Sequence, residues 1–112
     1  MHPLLCEATL QQLADDIGSS LLPELFAVFI EENEPKLANL QDPLVHPTSL
    51  ELKSLFHTLK SSAASYGGLR LAALASELDT ACKDQQYDKV DALLPEFMMV
   101  YTQTLEVMKQ RY

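Results

Sequence analysis

Residues 52–71 read LKSLFHTLKSSAASYGGLRL. Stepped at 100° per residue, as an α-helix requires, Leu52, Leu55, Phe56, Leu59, Ala63 and Tyr66 fall on one stripe. An apolar stripe of that width needs a packing partner, so the stretch predicts an amphipathic helix facing a core. Gly67 and Gly68 close it, because a helix end needs a residue at positive φ and glycine takes that conformation without steric cost. His57 projects roughly 150° from the middle of the stripe, toward water. Lys53, Ser54, Lys60 and Ser61 lie one turn from it and Ala64 a turn further. Small and basic side chains thus ring an imidazole that the core does not need.

Working outward from this helix, Thr48 with Glu51 forms a capping box that opens it. The preceding connection, residues 41–47, carries two prolines, and His46 within it is incidental. Before that, Leu22, Leu25, Phe26, Phe29, Leu37 and Leu40 mark a helix whose period continues across Pro35, which predicts a kink there and no break. Ser19 or Ser20 caps it and Pro23 sits in its first turn, while Glu31, Glu32 and Glu34 read as a solvated face. Leu10, Leu13, Ala14 and Ile17 predict a short first helix stopped by Gly18. Leu21 and Val28 fall off the inner stripe: they either pack under the first helix or form an exposed apolar patch for a partner.

Past the glycines, Leu71, Leu74, Ala75, Leu78, Ala81 and Cys82 line the next helix, and so short a turn makes it an antiparallel neighbour. Its polar stripe of Ser76, Asp79 and Lys83 then comes up beside the histidine face. Gln85 to Tyr87 reads as a polar turn with Asp88 capping a last helix, carried by Val90, Leu94, Phe97, Tyr101, Leu105 and Met108 and kinked at Pro95. Met98, Met99 and the tyrosines read as core and helix packing. The fold class is all-α: an up-down four-helix bundle with an additional short N-terminal helix.

At 112 residues the whole of 1–112 is expected to form one domain. No apolar run approaches the length needed to cross a bilayer, and the start Met1-His2-Pro3-Leu4-Leu5 lacks the features of a signal peptide, so a cytoplasmic location is expected. A net charge of -8, from 16 acidic against 8 basic residues, argues against nucleic acid or an anionic membrane as partner. Cys6 and Cys82 have no metal-like spacing and read as buried free thiols.

A lone histidine on a helix can be mere surface decoration. Here a lysine at i+3 and small side chains at i+4 and i+7 leave room for a group to approach, and place a cation where a phosphoryl group would sit. His57-Thr58-Leu59-Lys60-Ser61-Ser62-Ala63-Ala64-Ser65-Tyr66-Gly67, followed by Leu71, resembles the signature of histidine-containing phosphotransfer (Hpt) domains: His-x-Leu-Lys-Gly, a run of small residues, then Gly and Leu. Ser61 departs from the usual glycine, but its side chain is small enough to leave the histidine reachable. The double-serine form, LKSSAAS with an aromatic before the glycine, is similar to quorum-sensing phosphorelay proteins of vibrios.

The resemblance implies a relay in which His57 accepts a phosphoryl group from the receiver aspartate of a hybrid sensor kinase and passes it to the receiver of a response regulator. In such domains Lys60 would offset phosphate charge, and a carboxylate or amide at the position of Asp79 would orient the imidazole through Nδ1–H, leaving Nε2 as nucleophile. The alternative for Asp79 is an ordinary surface acid paired with Lys83 at i+4. Leu21, Val28, Lys53, Ser54, Ser61, Ala64 and Lys83 would meet the partner. No cofactor is expected on this chain; Mg²⁺ would belong to the partner receiver, and the chain would act as a monomer.

Other chemistries lack their parts in the sequence. There is no Gly-rich phosphate loop or nucleotide motif for autonomous kinase activity, no Ser-His-Asp or Cys-His arrangement, and no metal-ligand cluster. Two readings of another class stay open. One is a helical scaffold that binds a regulator without phosphate chemistry. The other is an enzyme with His57 as general base, which would need a concave pocket and a second catalytic group.

Overall fold

The computed structural model describes residues 3–44 and 47–111, so His46 lies outside the described residues. Five α-helices account for nearly all of them: α1 (Glu7–Ile17), α2 (Leu22–Gln41), α3 (Ser49–Ser65), α4 (Leu69–Lys83) and α5 (Tyr87–Arg111), with one 3-10 turn, Ser19–Leu21, between α1 and α2. Helices α2 to α5 make an up-down bundle, with α3 against α4, α4 against α5 and α5 against α2. The ends confirm the antiparallel sense. Lys109 pairs with Glu34, and Gln41 Nε2 donates to Thr102 Oγ1 at 3.2 Å.

The core is what the four apolar stripes make when they face inward. Phe26 and Phe29 of α2, Phe56 and Leu59 of α3, Leu71 and Leu78 of α4, and Phe97 and Tyr101 of α5 are all essentially inaccessible. Phe56 and Phe97 meet edge to face with ring centroids 5.2 Å apart, an arrangement that places a positive ring edge on a negative face. Leu25, Leu40 and Leu94 lie at the margins and are half-buried. Met99 is exposed, not core filler as expected, because it faces away from the side of α5 that holds Phe97, Val100 and Tyr101.

Two helix starts differ from the sequence reading. Neither Ser19 nor Ser20 caps α2; they form the 3-10 turn, and α2 begins behind Leu21 with Pro23 in its first turn. Tyr87 and Asp88 belong to α5 itself, so Asp88 is a first-turn acid and not a cap. The reason lies in Gln85, whose φ of 57° ends α4 abruptly. That turn lets Gln85 N–H and Gln86 N–H reach back to the carbonyls of Cys82 and Ala81. Pro35 and Pro95 sit inside continuous helices, each at an exposed position. The carbonyls their missing N–H groups would have used, on Glu31 and Asp91, belong to exposed residues.

The start of the histidine helix is as read: Thr48 Oγ1 accepts from Glu51 N–H at 3.1 Å and donates to Glu51 Oε1 at 3.2 Å. Its end is a Schellman motif. Gly68 N–H donates to Ala63 O at 2.8 Å and Gly67 N–H to Ala64 O at 3.1 Å, with Gly67 at φ 82°. Only Gly67 needs the left-handed conformation. Gly68 sits where room is tight, since a Cβ there would stand 3.3 Å from Ala63 O and 3.4 Å from Thr104 Cγ2. The N-terminal segment straps this turn: Cys6 N–H donates to Gly67 O at 2.7 Å and Arg70 N–H to Pro3 O at 3.1 Å. Glu7 and Arg111 pair over the same end. Helix α1 therefore covers the end of the bundle at the α3–α4 turn, roughly 15 Å of helix away from His57.

Candidate functional site

Helix α3 presents His57 on its outer face with 64% of the side chain exposed. Its apolar stripe fixes the rotation of the helix: Phe56 and Leu59, on either side of His57 in sequence, are fully buried, so His57 must point out. Helix α4, held antiparallel by the glycine turn, brings Asp79 alongside. One carboxylate oxygen, Asp79 Oδ2, gathers three contacts. His57 Nδ1 lies 3.4 Å from it, Lys60 Nζ donates to it at 2.7 Å, and Lys83 Nζ sits 3.2 Å away.

Asp79 is not the surface acid of the alternative reading. Only 1% of its side chain is exposed, against 30% for Lys60 and 50% for Lys83. It sits at the seam where α4 turns its buried side toward α3, between Leu78 and Cys82. Burial by itself would push its carboxyl group up. The hydrogen bonds from Lys60, Lys83 and His57, with the charge of Lys60, outweigh that and hold it down at about 2. Asp79 is therefore an anion at neutral pH, and with Nδ1 of His57 facing it, the proton of a neutral imidazole belongs on Nδ1. Asp79 thus faces both His57 and Lys83, from a buried position that the surface-acid alternative did not allow. Its second oxygen, Oδ1, is buried and has no hydrogen-bond partner among the described residues.

The remaining predicted site residues divide. Lys53, Ser54 and Ser61 are exposed on the histidine side of α3. Ala64 is half-buried and packs on the edge of the core, so it narrows the site less than an outward side chain would. Lys60 is engaged with Asp79 and does not stand free beside the ring. Leu21 and Val28 are 45% and 48% exposed, so α1 does not cover them. His57 lines neither of the two clefts beside it. One, of about 390 Å³, lies between α2 and α3 and is edged by Lys36, Leu40, Ser54, Leu55 and Thr58. The other, of about 220 Å³, is edged by Ser49, Lys53, Cys82, Lys83 and Tyr87. The imidazole thus lies outside both clefts and is 64% exposed, where a partner surface can reach it.

A second buried polar cluster escaped the sequence reading. Tyr101 O–H donates to Asn33 Oδ1, and Asn33 Nδ2 donates to Phe29 O at 2.8 Å. Asn33 lies four residues from both Phe29 and Leu37, on the inner stripe of α2; that spacing was the available signal. Both cysteines are free thiols, Cys82 buried and Cys6 only half-buried. Among the described residues no three His, Cys, Asp or Glu side chains converge as metal ligands, and no helix is long and apolar enough to cross a membrane.

Comparison with known proteins bears on this geometry. The model of the Hpt domain family matches residues 24–110. The phosphorelay protein LuxU of Vibrio cholerae serotype O1 is 32% identical over 108 residues, covering 93% of this chain and 92% of that one. The LuxU of Vibrio vulnificus is 37% identical over 81 residues, 72% of this chain and 70% of its own. The crystal structure of histidine-containing phosphotransfer protein B from Pseudomonas aeruginosa PAO1 superposes with a TM-score of 0.81 at 22% identity, over 100% of this chain and 99% of that one.

Proposed function

The chain belongs to the Hpt domain family, and on that premise we propose that His57 is the residue that carries the phosphoryl group. The protein is a histidine phosphorelay carrier of two-component signalling. The observation that supports His57 is its surroundings: an imidazole 64% exposed, its Nδ1 turned to a buried carboxylate, beside two ammonium groups.

The chemistry follows from that arrangement. A receiver aspartyl phosphate is an acyl phosphate. The lone pair on His57 Nε2 attacks phosphorus, the N–P bond forms, and the P–O bond to the receiver carboxylate breaks with its electrons on that carboxylate. The Nδ1 proton stays on the ring, so the imidazole gains positive charge as it is phosphorylated. Asp79 stabilises that charge at 3.4 Å and fixes the tautomer that exposes the Nε2 lone pair. Lys60, one turn along α3, supplies a cation for the phosphoryl oxygens. The reverse sequence delivers the group to a second receiver. Mg²⁺, which would neutralise charge on the acyl phosphate, belongs to the partner receiver in this reading.

The donor in this proposal is the receiver of a hybrid sensor kinase, the acceptor that of a response regulator, and the chain works as a cytoplasmic monomer. Leu21 and Val28, with Lys53, Ser54, Ser61 and Ala64, form the surface the receivers meet. The double-serine form of the signature supports a quorum-sensing pathway in this proposal.

The test is transfer of ³²P from a phosphorylated receiver to the wild-type chain and to His57→Gln. Label stable to alkali, lost in acid and missing from the variant is the expected result. Label retained on the variant overturns the assignment of His57. A variant that takes no label yet keeps full regulatory function would make the chain a scaffold.

A further inference from the structure

The phosphohistidine reading leaves a charge problem, and the structure contains an answer to it. Lys60 is the cation nearest in sequence to His57 on the same helix, yet its ammonium is bound to Asp79 Oδ2 at 2.7 Å. A phosphoryl group on Nε2 brings close to two negative charges and strong acceptor oxygens. If Lys60 left Asp79 to meet them, a carboxylate with 1% of its side chain exposed would lose its closest cation. An unpaired buried charge is among the costliest features a protein can hold. Its other oxygen, Oδ1, offers no relief, being buried and without a hydrogen-bond partner among the described residues. What prevents the loss is Lys83, whose Nζ lies 3.2 Å from the same Oδ2.

We propose that Lys83 is a positioning residue of the phosphoryl-acceptor site: it keeps the charge of Asp79 compensated while Lys60 turns from Asp79 to the phosphoryl group on His57. The inference rests on His57 as the carrier. The division of labour follows from where each lysine is rooted. Lys60 stands on α3 three residues after His57, on the face that the new group occupies. Lys83 stands on α4 four residues after Asp79, one turn along the same helix, where its stem lies beside the carboxylate. Two cations on one oxygen would be redundant in a static ion pair. They are what an exchange requires, since one can leave without exposing the other's partner. Lys83 is half exposed and its ammonium pairs with Asp79, so its effect on phosphorylation runs through Asp79 and Lys60.

The experiment uses phosphoramidate, a small phosphoryl donor, so that receiver docking does not enter. Rates of His57 phosphorylation are measured by ³¹P NMR for wild type, Lys83→Met, Lys83→Gln, Lys83→Arg, Lys60→Met and the Lys60→Met/Lys83→Met double variant. Nitrogen-15 spectra of the unphosphorylated proteins report the His57 tautomer. Lys83→Met and Lys83→Gln should slow phosphorylation about fivefold or more while leaving the tautomer unchanged, because Lys60 then stays on Asp79. Lys83→Arg should restore the rate. The double variant should be no slower than Lys60→Met, since with Lys60 gone there is no exchange to assist.

Wild-type rates in Lys83→Met and Lys83→Gln would overturn the proposal. So would a full additional loss in the double variant, which would mean that Lys83 meets the phosphoryl group itself. A wild-type chain that takes no phosphate on His57 would instead overturn the carrier reading, and is told apart by the ³¹P spectrum of that sample alone.

Discussion

Asp79 Oδ2 lies 3.4 Å from His57 Nδ1, across the seam between α3 and α4, and the two residues differ sharply in exposure, 1% against 64%. The acid is fixed by packing and the imidazole is free on its other side. That asymmetry is what a carrier site requires: the orienting group must not compete with the incoming phosphoryl group for space. Asp79→Asn removes the charge while keeping the shape. It should scramble the Nδ1–H preference seen in nitrogen-15 spectra, and slow phosphoryl transfer at least about tenfold, as loss of a tautomer-fixing carboxylate does elsewhere. Transfer at the wild-type rate would leave Asp79 a purely structural acid.

The same carboxylate sets an acid limit on stability. Its pKa in the fold is about 2, below the ordinary 3.8. A depressed folded-state value means the unfolded chain binds its proton first as pH falls. The stabilisation is therefore fully present above about pH 4 and is lost as pH drops through 2. It amounts to on the order of 2 kcal/mol. Urea unfolding midpoints of the wild type should fall across that window, beyond the slope seen in Asp79→Asn. Parallel curves for the two proteins between pH 5 and pH 2 would count against the ion cluster.

The helix count, the inner stripes of α3 and α4 and the glycine closure were legible because each rests on a local pattern: a 3.6-residue period, a capping pair, a residue type suited to φ > 0. His57 could be placed on the outer face by angle alone. Asp79 was harder. Helical angle puts it between the apolar and polar sides of α4, and whether such a residue is buried depends on how close α3 comes, which no local pattern records. The convergence of Lys60 and Lys83 on one oxygen is likewise a product of two helices meeting. The turn at Gln85 was legible from its polar residues, but how tight it is, with α5 starting already at Tyr87, was not, since a non-glycine in the left-handed region leaves no compositional sign.

Asn33 and Tyr101 make the one polar link through the core between α2 and α5 among the described side-chain hydrogen bonds that are fully buried at both ends. Burial pushes the Tyr101 phenol well above its ordinary range, so it stays a neutral donor at every physiological pH. Tyr101→Phe leaves Asn33 Oδ1 unsatisfied in the interior. The expected cost is about 1–3 kcal/mol, read as a lower urea midpoint, with phosphoryl transfer by the surviving folded fraction unchanged. Loss of transfer without loss of stability would tie this cluster to the site and contradict its reading as structural.

Gln85 offers the opposite sign. Its φ of 57° completes the C-terminal motif that turns α4 into α5, with Gln85 N–H and Gln86 N–H donating to Cys82 O and Ala81 O at 3.1 and 2.8 Å. The backbone makes both bonds, and the side chain only adds the strain of a Cβ in the left-handed region. Glycine removes that strain but gives the unfolded chain more freedom to lose, so the two effects partly cancel. The strain is the larger, since left-handed backbone costs an L-residue about 1–2 kcal/mol. Gln85→Gly should therefore raise stability by up to about 1 kcal/mol, measured by chemical denaturation. Gln85→Val, with its branched Cβ in the same conformation, should lower it. If glycine proves destabilising, the turn is held by the glutamine side chain and not by the two backbone hydrogen bonds.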